Sequence, residues 1–231
     1  MASLTPFFAK GKSMEFVYRN KNFLVVNKPP LVPSQRDLSK DDDAMTLASS
    51  MLEALGEDGR LWLVHRLDRV VGGLLVFARN QKTAAELSRL AASGGLSKGY
   101  LAVVEGEALG GELFDYIYKD SMTGKAYVAK SERKGTKAAT LSYTPIKLSD
   151  GKTLVDIDLK TGRFHQIRVQ FSSRKMPLVG DKKYGSRDVM SKHPALFAYK
   201  LAFSLFGEEY SFKRLPDLAL YPWNIFCEEI K

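Results

Sequence analysis

The quartet His65-Arg66-Leu67-Asp68 sets one carboxylate beside an arginine and a histidine. It follows the apolar run Leu61-Trp62-Leu63-Val64, and apolar residues resume from Leu74 to Phe77. Charged groups between two strand-like runs are costly to bury unless they are paired. An aspartate held there by a positive partner stays ionised, and an ionised carboxylate can act as a nucleophile. Two further segments carry groups suited to chemistry. Ser97-Lys98-Gly99-Tyr100 ends on a phenol, and Gly162-Arg163-Phe164-His165-Gln166-Ile167-Arg168 is followed by Leu178-Val179-Gly180-Asp181-Lys182-Lys183-Tyr184-Gly185. Taken singly, each has a plain structural reading: Asp68 caps a turn or pairs with Arg66, Tyr100 fills the core, and Arg168 is a surface cation. His65, His165 and His193 are far apart in the chain, with no Cys-x-x-Cys, His-Glu-x-x-His or P-loop. No metal-binding or phosphate-binding motif stands out, and only convergence of the three histidines in space would make a metal site.

The elements that must position these groups are legible in outline. Phe16-Val17-Tyr18 and Phe23-Leu24-Val25-Val26 flank a polar turn and read as paired strands, stopped by Lys28-Pro29-Pro30 because proline donates no ladder bond. Asp41 to Leu55 has helical spacing in Ala44, Met45, Ala48, Met51, Leu52 and Leu55, with Gly56 where a C-terminal glycine belongs. Leu74–Ala78 reads as a buried strand. Asn80 caps a helix that turns Ala84, Leu87, Leu90 and Ala91 inward and ends at Gly94-Gly95. Tyr100–Glu105 returns to strand, and residues 106–137 read as Gly- and Lys-rich turns with short β pieces such as Ala126-Tyr127-Val128. Leu141–Leu148 and Leu154–Lys160 flank Ser149-Asp150-Gly151-Lys152, which has hairpin chemistry. Arg163–Ser173 is predicted helical, with Phe164, Ile167 and Phe171 on one face and His165 and Arg168 on another. Pro177–Gly185 reads as a loop, and Phe197–Leu205 with Glu209–Lys213 as a final strand pair. Strands outnumber helices and arrive in runs. The expected fold is α+β, a mixed, largely antiparallel central sheet flanked by helices and loops. Residues 1–14 are expected to be a flexible arm and 15–231 a single catalytic domain.

With 231 residues the chain can bury a substantial core. Lys+Arg of 35 against Asp+Glu of 26 leaves a net charge of +9, which favours an anionic partner such as nucleic acid. The lone Cys227 forms no intrachain disulfide, and no segment has the apolar length of a signal peptide or membrane span. A cytoplasmic monomer with no membrane partner is expected.

In combination the motifs resemble the RluA-type family of RNA pseudouridine synthases. That family carries His-Arg-Leu-Asp followed shortly by Gly, then Gly-Arg-x-His-Gln-Ile/Leu-Arg, then Gly-Asp-x-x-Tyr-Gly. Asn27-Lys28-Pro29 also looks like its early Asn-Lys-Pro, and Lys98-Gly99-Tyr100 like its Lys-x-Tyr. The likeness runs in order from about Phe16 to about Phe212. It implies a pseudouridine synthase fold and a cofactor-free isomerase that needs no metal. Such an enzyme converts specific uridines of structured RNA, tRNA or ribosomal RNA, to pseudouridine after flipping the target base. It implies Asp68 as the essential aspartate, Tyr100 as the active-site tyrosine and Arg168 as the arginine pairing with the aspartate. Lys28, His65, Arg66, Arg163, His165, Gln166 and Ile167 are the expected substrate and RNA contacts. Of these, Arg66 has a planar guanidinium that can enter the RNA stack where the base was.

Several positions depart from the family pattern. Val71-Gly72-Gly73 stands where Thr-Ser-Gly or Thr-Thr-Gly is usual, Phe164 replaces a threonine, and Tyr199 stands where many members carry histidine. The arm is shorter than the S4-type RNA-binding domain of many relatives, so target selection is expected to rest on the catalytic domain. The missing hydroxyl residues beside Asp68 keep one rival open, an RNA-binding or chaperone module with little or no turnover. A hydrolase using His65 or His165 as base is a weaker rival, because no nucleophile is spaced to partner either.

Overall fold

A computed structural model describes residues 7–9, 12–37 and 41–230. The chain divides into two compact units: residues up to Leu96 with Ala198–Arg214, and Ser97–Phe197 with the segment from Leu215. No described helix is long and apolar enough to cross a membrane.

The first unit is built on β1 (Phe7–Ala9), β2 (Lys12–Arg19), β3 (Phe23–Lys28), β4 (Trp62–Leu63), β5 (Gly72–Ala78), β11 (Leu196–Leu205) and β12 (Glu208–Lys213). Antiparallel pairings join β1 to β2, β2 to β3, β3 to β5, β4 to β5 and β11 to β12. Phe23, Val25, Leu74, Val76, Leu201 and Phe203 share one apolar core with Leu87 and Leu90 of a helix. All seven residues of β5 are buried, which explains its unbroken apolar run. The helix is α2 (Gln81–Ser93): the Asn80 side chain accepts from Thr83 N at 2.9 Å, and Gly94 ends it at φ +83.

α1 (Ala44–Ala54) starts later than Asp41 because Asp43 stays extended and caps it, accepting from Met45 N and Thr46 N at 3.0 Å each. The residues it buries are Ala44, Leu47, Ala48, Met51 and Leu52, whereas Leu55, expected inward, is exposed. Part of the expected N-terminal arm is ordered strand: Phe7–Ala9 pairs with β2, and Met14 is buried. Residues 12–14 open β2, and residues 1–6, 10 and 11 lie outside the described residues.

The second unit contains the antiparallel order β6 (Ser97–Glu105), β10 (Lys152–Leu159), β9 (Lys137–Ser149), β7 (Gly111–Asp120) and β8 (Lys125–Ala129). Asp150 and Gly151, at φ +51 and +67, make the two-residue turn that joins β9 to β10. β7 corrects the expectation of turns over 106–137. Its inward residues are Leu113, Asp115 and Ile117, so a carboxylate interrupts the apolar alternation that would have marked it.

α3 (Gln166–Ser173) is three residues shorter than predicted. His165 takes a left-handed conformation (φ +52, ψ 27), so neither it nor Phe164 shares a helical face with Ile167 or Arg168. Cross-strand register places Tyr100, Ile157 and Tyr143 in one row. Tyr143 packs edge-on against Phe171 of α3, 5.0 Å between ring centres, so Tyr100 lies on the sheet face that α3 covers.

Candidate active site

In the first unit, the segment bearing Asp68 is held on both sides of that residue. Ser34, itself buried, accepts a hydrogen bond from Leu67 N at 3.0 Å and donates its hydroxyl to Leu67 O at 2.9 Å. Lys28 is fully buried, and its Nζ donates to Val32 O at 2.6 Å, Pro29 O at 3.0 Å and Arg69 O at 3.4 Å. The Asp68 carbonyl accepts from Val71 N at 2.9 Å and closes a turn. Leu67 points into the core, Arg66 is exposed, and His65 and Asp68 are half-buried. The His65 ring faces β5, with Val76 N donating to Nε2 at 3.3 Å.

Gly73 accounts for one half of the Gly72-Gly73 pair. At φ +119 it lies against the backbone of β11, and a Cβ would come within 2.3 Å of Ala198 O. Close approach of two strands, rather than a hydroxyl, governs this end of the motif. Lys28, expected as an RNA contact, is buried here, and its ammonium bonds carbonyls of the loops around Asp68, which positions that segment.

In the second unit, Arg168 forms a two-pronged ion pair with Asp181: Nε to Oδ2 at 2.7 Å and Nη2 to Oδ1 at 2.8 Å. The two side chains are 4% and 1% exposed. The guanidinium also lies over the Tyr184 ring, 5.0 Å from its centre. The Tyr184 hydroxyl accepts from Ala126 N at 2.7 Å and sits 2.8 Å from His165 Nδ1. Burial, followed by the positive charges of Arg168, Lys183 and Lys119, pushes His165 down to about 3, so its imidazole is neutral at physiological pH. Asp181 and Tyr184 stand in the Gly180–Gly185 motif, whose sequence alone assigns them no task. Their task here is to orient Arg168 and His165.

Gln166 is consumed by the turn before α3. Its Oε1 accepts from Thr161 Oγ1 at 2.7 Å and Arg163 N at 3.0 Å, and its Nε2 donates to Thr140 O at 3.1 Å. Gln166 and Ile167, expected as RNA contacts, are both buried and support the loop. Arg163 does reach solvent, with Nε donating to Ala138 O at 2.8 Å. Tyr100 is only 6% exposed. Lys98, two residues earlier on the same face of β6, is mostly buried, and that burial lowers the pKa of its ammonium. Its Nζ stands 3.6 Å from where a Cβ on Gly162 would lie, so it adjoins the same turn.

The structure therefore gathers Lys28, His65, Arg66 and Asp68 in the first unit. Tyr100, Arg163, His165, Gln166, Ile167 and Arg168 gather in the second. The signals for Ser34 and Asp115 were absent from the sequence, because each acts on groups more than thirty residues away.

Comparison with known proteins follows this geometry. A family model described as RNA pseudouridylate synthase matches residues 22–173. The tRNA pseudouridine synthase C of Vibrio parahaemolyticus is 29% identical over 195 residues, covering 80% of this chain and 77% of its own. The ribosomal large subunit pseudouridine synthase D of Zymomonas mobilis is 31% identical over 180 residues, covering 74% of this chain and 56% of its own. Among solved structures, human RNA pseudouridylate synthase domain containing 4 superposes with a TM-score of 0.73 at 22% identity, covering 88% of this chain and 89% of that one. The α+β architecture expected from the sequence is the fold of that neighbour.

Proposed function

This chain belongs to the RNA pseudouridylate synthase family and isomerises uridine to pseudouridine in RNA, and from that premise we propose that Asp68 is its essential catalytic group. The observation that carries the proposal is the double anchorage of the segment. Ser34 grips Leu67 and Lys28 grips Arg69, so the backbone on either side of Asp68 is fixed while the aspartate between them stays half-buried. A rigid backbone with one carboxylate presented from it is what positioning for attack requires.

In the reaction the N1–C1′ bond of the target uridine breaks, the uracil turns, and C1′ bonds to C5. N1 gains a proton and C5 loses one. No electrons leave the substrate, and the mass of the RNA is unchanged. The target base must first leave its stack, at a cost of a few kcal/mol. Arg66, exposed two residues before Asp68, is proposed to occupy the vacated place in the stack. Tyr100 is proposed to stack on the flipped uracil, its phenol serving the proton steps. Arg168 is proposed to supply the positive charge that keeps Asp68 ionised. Asp181 and Tyr184 support this by fixing the plane of the guanidinium. The substrate is proposed to be tRNA or ribosomal RNA, the classes named for the relatives above, and the net charge of +9 suits either.

The test is Asp68→Asn. The variant is expected to fold and bind RNA like the parent while forming no pseudouridine in unmodified total RNA. Turnover equal to the parent's would remove Asp68 from the chemistry.

A further inference from the structure

The face of the second unit's sheet turned away from α3 carries an aromatic row that the catalytic reading does not use. Leu113, Asp115 and Ile117 of β7 point toward α3, where Gln170 Nε2 meets Asp115 Oδ2 at 2.8 Å and Ile117 packs with Val169. By strand alternation Phe114, Tyr116 and Tyr118 point to the other side. Register adds Tyr127 of β8 opposite Tyr118, and the two rings stack 5.6 Å apart at 26°. Phe114 and Tyr116 meet edge-on at 5.4 Å. Large rings of this kind are ordinarily sheltered in a soluble protein, yet Phe114 is 53% and Tyr127 37% exposed. On β9 the residues opposite Phe114 and Tyr116 are Thr140 and Ala138, which are small and leave the flank of the row open.

The rim of this face is basic. The Arg133 guanidinium lies over the Tyr118 ring, 5.0 Å from its centre. Lys130, Lys134 and Lys137 surround it on exposed positions, and Lys125 begins β8. The acids nearby are Glu132, the exposed Glu112 next to Phe114 on the same face of β7, and Asp120. Asp120 is occupied in its own turn, accepting from Met122 N at 2.8 Å and Thr123 Oγ1 at 2.9 Å. Aromatic faces bordered by cations fit bases with phosphates alongside, because every base offers a π-face and every linkage a negative charge. Aromatic rings and arginine suit protein interfaces as well, so it is the exposed lysines of the rim, a residue type depleted at protein interfaces, that favour RNA.

We propose that this face of β7 and β8 is a stacking platform for a single-stranded segment of the substrate RNA. Phe114 and Tyr127 take bases, and Arg133 with the neighbouring lysines takes phosphates. The proposal rests on the reading of the chain as an enzyme acting on RNA. It deepens that reading by giving the catalytic domain a surface that selects among RNAs.

The experiment uses the full chain with Phe114→Ala, Tyr127→Ala and Tyr127→Trp. Binding is measured against a twelve-nucleotide single-stranded RNA and a duplex of equal length, and conversion is measured on unmodified total RNA. Each alanine variant is expected to weaken single-strand binding about tenfold and to raise KM for RNA similarly, the loss falling on KM rather than kcat. Tyr127→Trp is expected to retain or exceed parental affinity, which separates stacking from misfolding. Binding and KM equal to the parent's in both alanine variants overturn the platform. So does an equal loss in Tyr127→Trp, or a loss confined to capture of another protein. If the parent binds single strands in this ring-dependent manner but forms no pseudouridine, the platform stands and the enzymatic reading fails. Asp68→Asn, which keeps the platform intact, distinguishes the two.

Discussion

Asp181→Ala is the most demanding test of how the second unit is held. Removing one member of a buried ion pair takes away compensation from the other charge, a loss of at most about 3–5 kcal/mol. Both conditions for the full loss are met: the side chains are 4% and 1% exposed, and the pair makes two short charge-assisted bonds at 2.7 and 2.8 Å. The loss is softened because the guanidinium keeps its place over the Tyr184 ring, worth about 1 kcal/mol, and keeps its interactions other than that with Asp181. The expected loss is then about 3 kcal/mol, a fall in Tm of about 6–12 °C for a chain of this size.

Calorimetry at pH 7 measures the loss. A second variant gives it meaning. Arg168→Met combined with Asp181→Leu removes both charges and keeps apolar volume. Such exchanges are close to neutral for stability, so most of the lost Tm is expected to return. Pseudouridine formation is expected to stay absent, because the guanidinium proposed to serve Asp68 is gone. A loss below about 1 kcal/mol in Asp181→Ala would refute the burial argument. Recovered turnover in the double variant would show that Arg168 serves only the fold.

Two further outcomes follow from the site. Ser34→Ala leaves the Leu67 N–H and carbonyl without their buried partner, which costs about 2 kcal/mol. Conversion is expected to fall while RNA affinity holds, and parental values for both stability and turnover would remove the clamp from the mechanism. His165 titrates near 6.5 in the unfolded chain but is held down to about 3 in the folded one. Between those values the unfolded chain binds the extra proton. The contribution is therefore whole above pH 6.5 and is lost as pH falls, by at most about 1.4 kcal/mol per pH unit. Urea unfolding at pH 4, 5 and 7 is expected to show a shallower acid loss in His165→Gln than in the parent, and equal slopes would refute the neutral, buried imidazole.

The local signals were legible because their cause is local. Asn80 and Gly94 bound α2, Asp43 caps α1, and Asp150-Gly151 makes the β9–β10 turn, each through backbone bonds a few residues long. β7 was hidden for a non-local reason. Its inward face holds Asp115, tolerable only because Arg174 lies 2.9 Å away and Gln170 2.8 Å away, and its outward face holds the rings. Read alone, that pattern is inverted, and no strand rule finds it. The same cause divides the motif residues. A string of polar residues shows where chemistry gathers but not which members the fold itself consumes. Lys28, through Arg69 O, and Gln166 and Arg168 all make charged or amide bonds to groups that the chain brings back from elsewhere, and only the assembled partners show this. Arg66 and Arg163 are the members that reach solvent. A motif of this kind is thus mostly a device for holding backbone still, and the few side chains left pointing outward are the ones we propose for RNA contact.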